Sequence, residues 1–366
     1  MIAWIACCNL ILTPSIESSL QNAKKEIHEL TVDYTLQDAL TPNPSLTLFP
    51  WGFYERVQFY SQRLIMTFLY PAQSSIQKWV RPAYSTPVLD KRRVRTFKKL
   101  HAQGYSFKEL VLEKNKVRYS GLLIYRESSK NNGQWIIQAT GNCMPYEPAA
   151  PIFANHYNPP DCPDEHRFNL LFVNGPGVGK SDGIATPASM GDAQEIGISY
   201  LEELGAKKIV LAGFSLGGAA MGQAILKHEF KKDRQYLVVS QMTFDRASNI
   251  CSKIYHIKNR ILKSLMKGFI HWSGCEMDTV KASQKTQNLF IPEVIIQAGK
   301  EQEGSLIHDS DSLIPKKASL GYRVKKEKIN QLKTHALIQA KHNDLDRFIE
   351  RTRIEILKWS QLHPEN

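Results

Sequence analysis

One stretch constrains this chain more than any other: Lys208-Ile-Val-Leu-Ala-Gly213-Phe214-Ser215-Leu216-Gly217-Gly218-Ala-Ala-Met-Gly222. A β-branched apolar run gives way, through a Gly-x-Ser-x-Gly turn, to an Ala-rich half suited to a helix. A strand that becomes a helix within one residue holds the intervening serine in a strained conformation, and small residues two before and two after it are needed to avoid clashes. Gly213 and Gly217 meet that demand, and Gly218 with the alanines after it lets the helix lie close to the sheet. The helix start aims partial positive charge at the Ser215 oxygen, which makes Ser215 a candidate nucleophile. The uncharged run 209–226 is only just long enough for a membrane span. Its four glycines, with Ser215 and Gln223, favour the strand-to-helix reading instead.

The surroundings of this turn are those of an α/β domain. Short β-rich runs are predicted at 107–113, 117–126, 135–140, 168–173, 208–212, 236–240, 293–297 and 334–339, the first two as an antiparallel hairpin and the later ones as a parallel sheet. Helices are predicted at 190–204, 217–230, around 316–320 and at 345–360. Residues 1–95 read as an accessory segment with many prolines and an aromatic stretch at 48–70; that stretch either packs on the main domain or lies at a membrane interface. The basic run Lys91–Lys99 reads as a solvated connector to a domain spanning 105–366.

Composition narrows the field. A chain of 366 residues with 42% hydrophobic and 22% charged content is neither collagenous nor wholly disordered. Six cysteines, at 7, 8, 143, 162, 251 and 275, include no CxxC pair, so neither a zinc site nor a disulfide framework is expected. A formal charge of +12 suits an anionic surface without identifying one, and no nucleic-acid partner is expected. Met1–Leu12 is apolar, but no basic residue precedes Lys24 and twelve residues are too few to span a bilayer. A cytoplasmic or peripherally membrane-associated protein is expected, although secretion without an apolar signal would leave no mark here.

With Ser215 as the anchor, the sequence resembles the α/β-hydrolase superfamily over roughly residues 105–360. The resemblance implies a mostly parallel, about eight-stranded sheet flanked by helices, with a helical lid inserted near 249–288. In that superfamily an oxyanion loop follows the third strand, often as His-Gly; here Thr140-Gly141-Asn142-Cys143 occupies the place, with Thr140 at the histidine position. Backbone amides build the oxyanion hole, so the donors are assigned to Leu216 and to Asn142 or Cys143. Asn174-Gly-Pro-Gly177-Val-Gly179-Lys180-Ser181 also looks like a phosphate-binding loop. That motif requires glycine where Asn174 stands and a helix after the lysine, which Gly183 and Pro187 would break, so a structural loop is expected.

The superfamily order is serine, acid, histidine. His342, between the last predicted strand and the last helix, is the expected catalytic histidine; His335, inside that strand, reads as a core or edge residue. Asp311, in Asp311-Ser-Leu-Ile314-Pro315, is the expected acid although it stands far beyond Gly299. Asp309, Glu301 and Glu303 are alternatives, and Asp245 reads as a loop or cap residue. These residues imply a serine hydrolase of a small-molecule or lipid acyl ester, working through an acyl-enzyme without metal or cofactor. A peptidase or acyltransferase of the same fold is a near alternative, and a catalytically inactive binding or host-interaction protein is a more distant one.

From Arg246 to Cys275, six Lys or Arg residues and no acidic residue accompany apolar positions at helical spacing. This basic amphipathic stretch is expected to act as the lid, with membrane-surface contact as an addition. The accessory N-terminus, the Thr-Gly-Asn loop and the Gly-Phe-Ser-Leu-Gly-Gly turn together resemble the chlamydial CHLPS family of hydrolase-like proteins.

Overall fold

The computed structural model describes residues 86–362 except 143, 255–256, 303–304, 312, 330 and 343, together with 57–58, 60–62 and 65–66. Cys143, Glu303 and most of the aromatic stretch at 48–70 therefore lie outside the described residues.

Four apolar runs set the architecture. β3 (Gln134–Ala139), β4 (Asn169–Val173), β5 (Lys208–Phe214) and β6 (Gln235–Gln241) are buried almost end to end. Continuous apolarity of this kind suits strands covered on both faces rather than half-exposed ones. They pair in parallel, in the order β4-β3-β5-β6. β1 (Ser106–Lys114) and β2 (Val117–Tyr125) form the expected hairpin, and β2 also runs antiparallel to β4. β7 (Glu293–Gln302) continues the parallel array beside β6, and its first half pairs with β9 (Lys333–Ile338). The second half of β7 turns back through a short antiparallel strand, β8 (Ser305–His308). The sheet is thus mixed and has nine strands among the described residues, the eight predicted from sequence plus β8.

The period-2 alternation of the strands divides the core in two. Ile136, Val210, Leu237 and Val294 point to one face, packed beneath α1 (Thr86–Ala102), α2 (Tyr146–Tyr157) and α9 (Leu345–Leu362). Ile137, Leu211 and Val238 point to the other, beneath α3 (Pro187–Glu203) and α4 (Leu216–Lys227). Each of these side chains removed from water contributes roughly 1.5–3 kcal/mol.

Lys91–Lys99 is no solvated connector: it is the middle of α1. Leu89, Arg93, Thr96, Phe97 and Leu100 recur at helical spacing and are buried, and the other basic residues project outward. Arg93 is held by Glu109 at 3.0 Å and by the fully buried Glu147 at 2.7 Å.

Between β6 and β7 the chain forms α5 (Ala247–Ile254), α6 (Arg260–Trp272) and α7 (Thr279–Asn288). Ala282 of α7 belongs to the same core cluster as the inward side chains of α3 and α4, so that helix flanks the sheet. Only α5 and α6 stand apart from it. α8 (Leu320–Lys326), preceded by a short 3-10 turn at Lys316–Ala318, links the Asp311 loop to β9. No helix of the described residues is long and apolar enough to cross a membrane.

Candidate active site

The carboxyl ends of the parallel strands carry the loops that matter. Ser215 follows β5 directly, with φ 53° and ψ −117°, outside the regions a non-glycine residue favours. Two anchors hold it there. Its N–H donates to the Gln241 carbonyl on the neighbouring strand at 2.8 Å, and its own carbonyl accepts from Gly218 N–H at 3.1 Å. The flanking glycines are required by contact: a Cβ on Gly217 would collide with the carbonyls of Ala139 and Thr140, and one on Gly218 with the Thr243 side chain.

His342 sits in the turn between β9 and α9, with 3% of its surface exposed. The turn is fixed by Lys341 N–H donating to Asp344 Oδ2 at 2.8 Å. The imidazole is 5.3 Å, centroid to centroid, from the Phe214 ring, which itself packs on Phe348. His342 Nε2 is 3.0 Å from Ser215 Oγ, and His342 Nδ1 is 2.8 Å from Asp311 Oδ2. A carboxylate only accepts hydrogen bonds, so Nδ1–H donates to Asp311; Nε2 is then free to accept from the Ser215 hydroxyl.

Asp311 reaches this position because of β8. The β7–β8 hairpin carries the chain out and back, and Asp309 N–H rejoins the sheet by donating to Ala298 O at 3.0 Å. The long spacing beyond Gly299 is this hairpin. Asp311 Oδ1 accepts from Leu313 N–H at 2.7 Å and from Ile314 N–H, leaving Oδ2 for the imidazole. The carboxylate is therefore oriented by its own loop.

The other acids have other partners. Asp245 is fully buried; it accepts from Arg246 N–H at 2.7 Å and from Asn249 Nδ2 at 2.8 Å, and it pairs with Arg323 at 3.0 Å. Burial pushes its carboxyl above the usual range against these stabilising contacts. Asp309 faces Lys300 at 3.9 Å, and Glu301 is exposed on the hairpin. His335 lies in β9 opposite Ile295. Burial, with Lys325 nearby, lowers its pKa to about 4, so it is neutral at pH 7.

On the other side of Ser215, the turn after β3 is stitched by Thr140 Oγ1 donating to Met144 O and by Met144 N–H donating to Gly141 O at 3.2 Å. The hydroxyl of Thr140 thus closes the loop at the position where the resemblance places histidine. Ala139 pairs with Gly213, so this turn stands beside the serine turn. Leu216 opens α4, where backbone N–H groups have no partner within the helix, and Asn142 lies in the adjoining turn. The Gln241 carbonyl and the Thr140 hydroxyl, which hold these two turns, carry no signature in the residue pattern.

The loop after β4 has a different construction. Asn174 Oδ1 accepts from Tyr146 N–H at 3.0 Å, and its Nδ2 donates to Glu147 Oε2 at 3.2 Å. Gly177, Gly179 and Gly183 all have positive φ, and no helix begins until Pro187. This geometry lacks the helix start that a phosphate-binding loop needs. Among the described residues no cluster of His, Cys, Asp or Glu could hold a metal ion.

A family model described as Chlamydia CHLPS protein (DUF818) matches residues 48–358. No curated protein matches the chain. Among solved structures, an alpha-beta hydrolase from Vibrio vulnificus superposes with a TM-score of 0.51 at 15% identity, over 78% of this chain and 94% of that one. An esterase from Pyrococcus furiosus gives 0.49 at 15% identity, over 72% and 92%. An alpha-beta serine hydrolase homologue from Coxiella burnetii gives 0.43 at 14% identity, over 69% and 97%. The fold is that of the α/β hydrolases.

Proposed function

The chain belongs to the Chlamydia CHLPS family, and from that premise we propose that it is a serine hydrolase of carboxylic esters, using Ser215 as nucleophile, His342 as general base and Asp311 as the acid that orients it. The observation carrying this reading is the unbroken hydrogen-bonded path from Asp311 Oδ2 through the imidazole to Ser215 Oγ, at 2.8 and 3.0 Å.

The steps follow from the geometry. Nε2 takes the hydroxyl proton as Oγ attacks the acyl carbon, and the imidazolium that forms is stabilised by the Asp311 carboxylate. The amides of Leu216 and Asn142 are assigned to the oxyanion, and Cys143 shares that assignment from outside the described residues. His342 returns the proton to the leaving alcohol. Water, deprotonated by the same imidazole, then releases the acid and restores Ser215.

α5 and α6 are assigned to the lid. Ile250 and Cys251 of α5 and Ile270 of α6 share one buried cluster with Leu216 and Ile314, the neighbours of Ser215 and Asp311. An apolar acyl chain is the part of a substrate that would meet this cluster, which favours a lipid or other acyl ester.

A p-nitrophenyl ester series of increasing acyl length tests the reading. Wild-type protein is expected to release a burst of nitrophenol close to one equivalent, absent from Ser215→Ala. A folded protein with no turnover above that variant on any chain length would reject the reading in favour of a binding role.

A further inference from the structure

Helix α6 is built inside out. A surface helix ordinarily turns its apolar stripe to the core and its charges to water. Here Ile261, Leu262, Leu265 and Phe269, which fall within one arc of about 100° at helical spacing, are 73, 54, 64 and 42% exposed. Lys263 and Lys267 lie on the opposite, half-buried side, where Lys267 Nζ donates to Asn249 of α5. Ile270 is the only fully inward apolar residue of the helix. The described residues 57–66 lie against the helix end: Gln58 donates to Trp272 O at 2.7 Å, Gln62 to Gly274 O at 3.1 Å, and Met66 is buried in the same cluster as Ile270. Val57 and Tyr60, beside that end, are 38 and 60% exposed. A contiguous apolar stripe of this kind marks an interaction surface.

Charge identifies the occupant. Lys258 and Arg260 are exposed at the start of α6, and no Asp or Glu occurs between Asp245 and Glu276. Cations at the positively polarised end of a helix oppose its dipole; an anionic surface against them removes the conflict. The whole chain carries +12. We propose that α6, with Val57 and Tyr60 beside it, is the surface by which this protein docks on an anionic lipid bilayer, its apolar stripe lying among the acyl chains and Lys258 and Arg260 on the headgroups. Docking of this kind places the α5–α6 layer, and so the serine beneath it, at the lipid surface. It does not depend on the hydrolase reading.

The experiment uses full-length Ser215→Ala protein, so that no lipid is consumed and a failure of docking is separate from a failure of catalysis. Co-sedimentation is measured with vesicles of phosphatidylcholine alone and of phosphatidylcholine with phosphatidylglycerol. Binding is expected on the anionic vesicles and is expected to fall in about 0.5 M NaCl, where screening shortens to roughly 4 Å. Leu262→Glu/Leu265→Glu is expected to lower partitioning at least about tenfold on either vesicle. Lys258→Glu/Arg260→Glu is expected to remove the anionic preference, at roughly fivefold or more per cation. All four positions are exposed, so melting temperatures should stay near wild type. Failure of the Ser215→Ala protein to bind anionic vesicles, or unimpaired binding once Leu262→Glu/Leu265→Glu is added to it, overturns the proposal. So does concentration-dependent self-association that this variant abolishes while vesicles bind neither protein, which would make the stripe an interface between copies.

Discussion

Two glycine-rich loops leave the same edge of the sheet, one after β4 and one after β5, and their construction differs. In the loop after β4, three glycines at positive φ let the chain fold around Asn174, whose side chain is consumed in tying α2 to the strand. In the turn after β5, the glycines keep their neighbours clear while a serine takes the positive φ, and its hydroxyl points at an oriented imidazole. Glycine content alone does not distinguish them. What distinguishes them is which side chain bears the strain and whether that side chain is left with a reactive partner.

Substitutions can break this contrast, and the largest effects belong to the β5 turn. Ser215→Ala is expected to lower ester turnover by at least about 10^4-fold with the melting temperature preserved. Asp311→Asn should cost about 10^3 to 10^4-fold in kcat. The amide donates as well as accepts, and so no longer fixes Nδ1–H as the donor tautomer; steady-state kinetics on a short nitrophenyl ester reads this. Gly217→Ala tests the packing beside the serine: its Cβ must displace two backbone carbonyls, and a loss of roughly 1–3 kcal/mol in chemical denaturation is expected.

The β4 loop should respond in stability and not in chemistry. Asn174→Ala strands the buried Tyr146 amide and part of the Glu147 carboxylate, so a destabilisation of about 1–3 kcal/mol is expected, with activity per folded molecule within about tenfold of wild type. Lys180→Ala removes only a half-exposed contact, 3.9 Å from Glu109. It should leave stability within about 0.5 kcal/mol and change nucleotide binding not at all, since none is expected. A nucleotide affinity lost in Lys180→Ala would erase the distinction between the loops.

Much of this was readable from residues. The eight predicted strands are continuous apolar or alternating runs, and those patterns survive whatever packs around them. The Ser215 turn was readable because strand, small residues and helix follow one another without a gap. α1 was not, because its inward stripe of Leu89, Arg93, Phe97 and Leu100 is diluted by lysines and arginines on the other face, and Arg93 is inward only because Glu109 and Glu147 meet it. α2 was hidden by Pro148 in its first turn and by Pro151 inside it; Pro151 cannot donate to the Glu147 carbonyl, which accepts instead from Thr96 Oγ1 of α1. β8 is four residues with no apolar period, yet it accounts for the distance between Gly299 and Asp311. In α6 the amphipathic spacing was visible, but no spacing tells which face meets water.

The central claim is that Ser215 is an activated nucleophile, and covalent labelling tests it most directly. Wild type, Ser215→Ala and His342→Ala would be treated with a fluorophosphonate and followed by intact mass and peptide mapping. The account predicts one adduct on Ser215 in wild type, none in Ser215→Ala and greatly slowed formation in His342→Ala. An unmodified Ser215 in folded wild-type protein, or labelling at the same rate without His342, would contradict it.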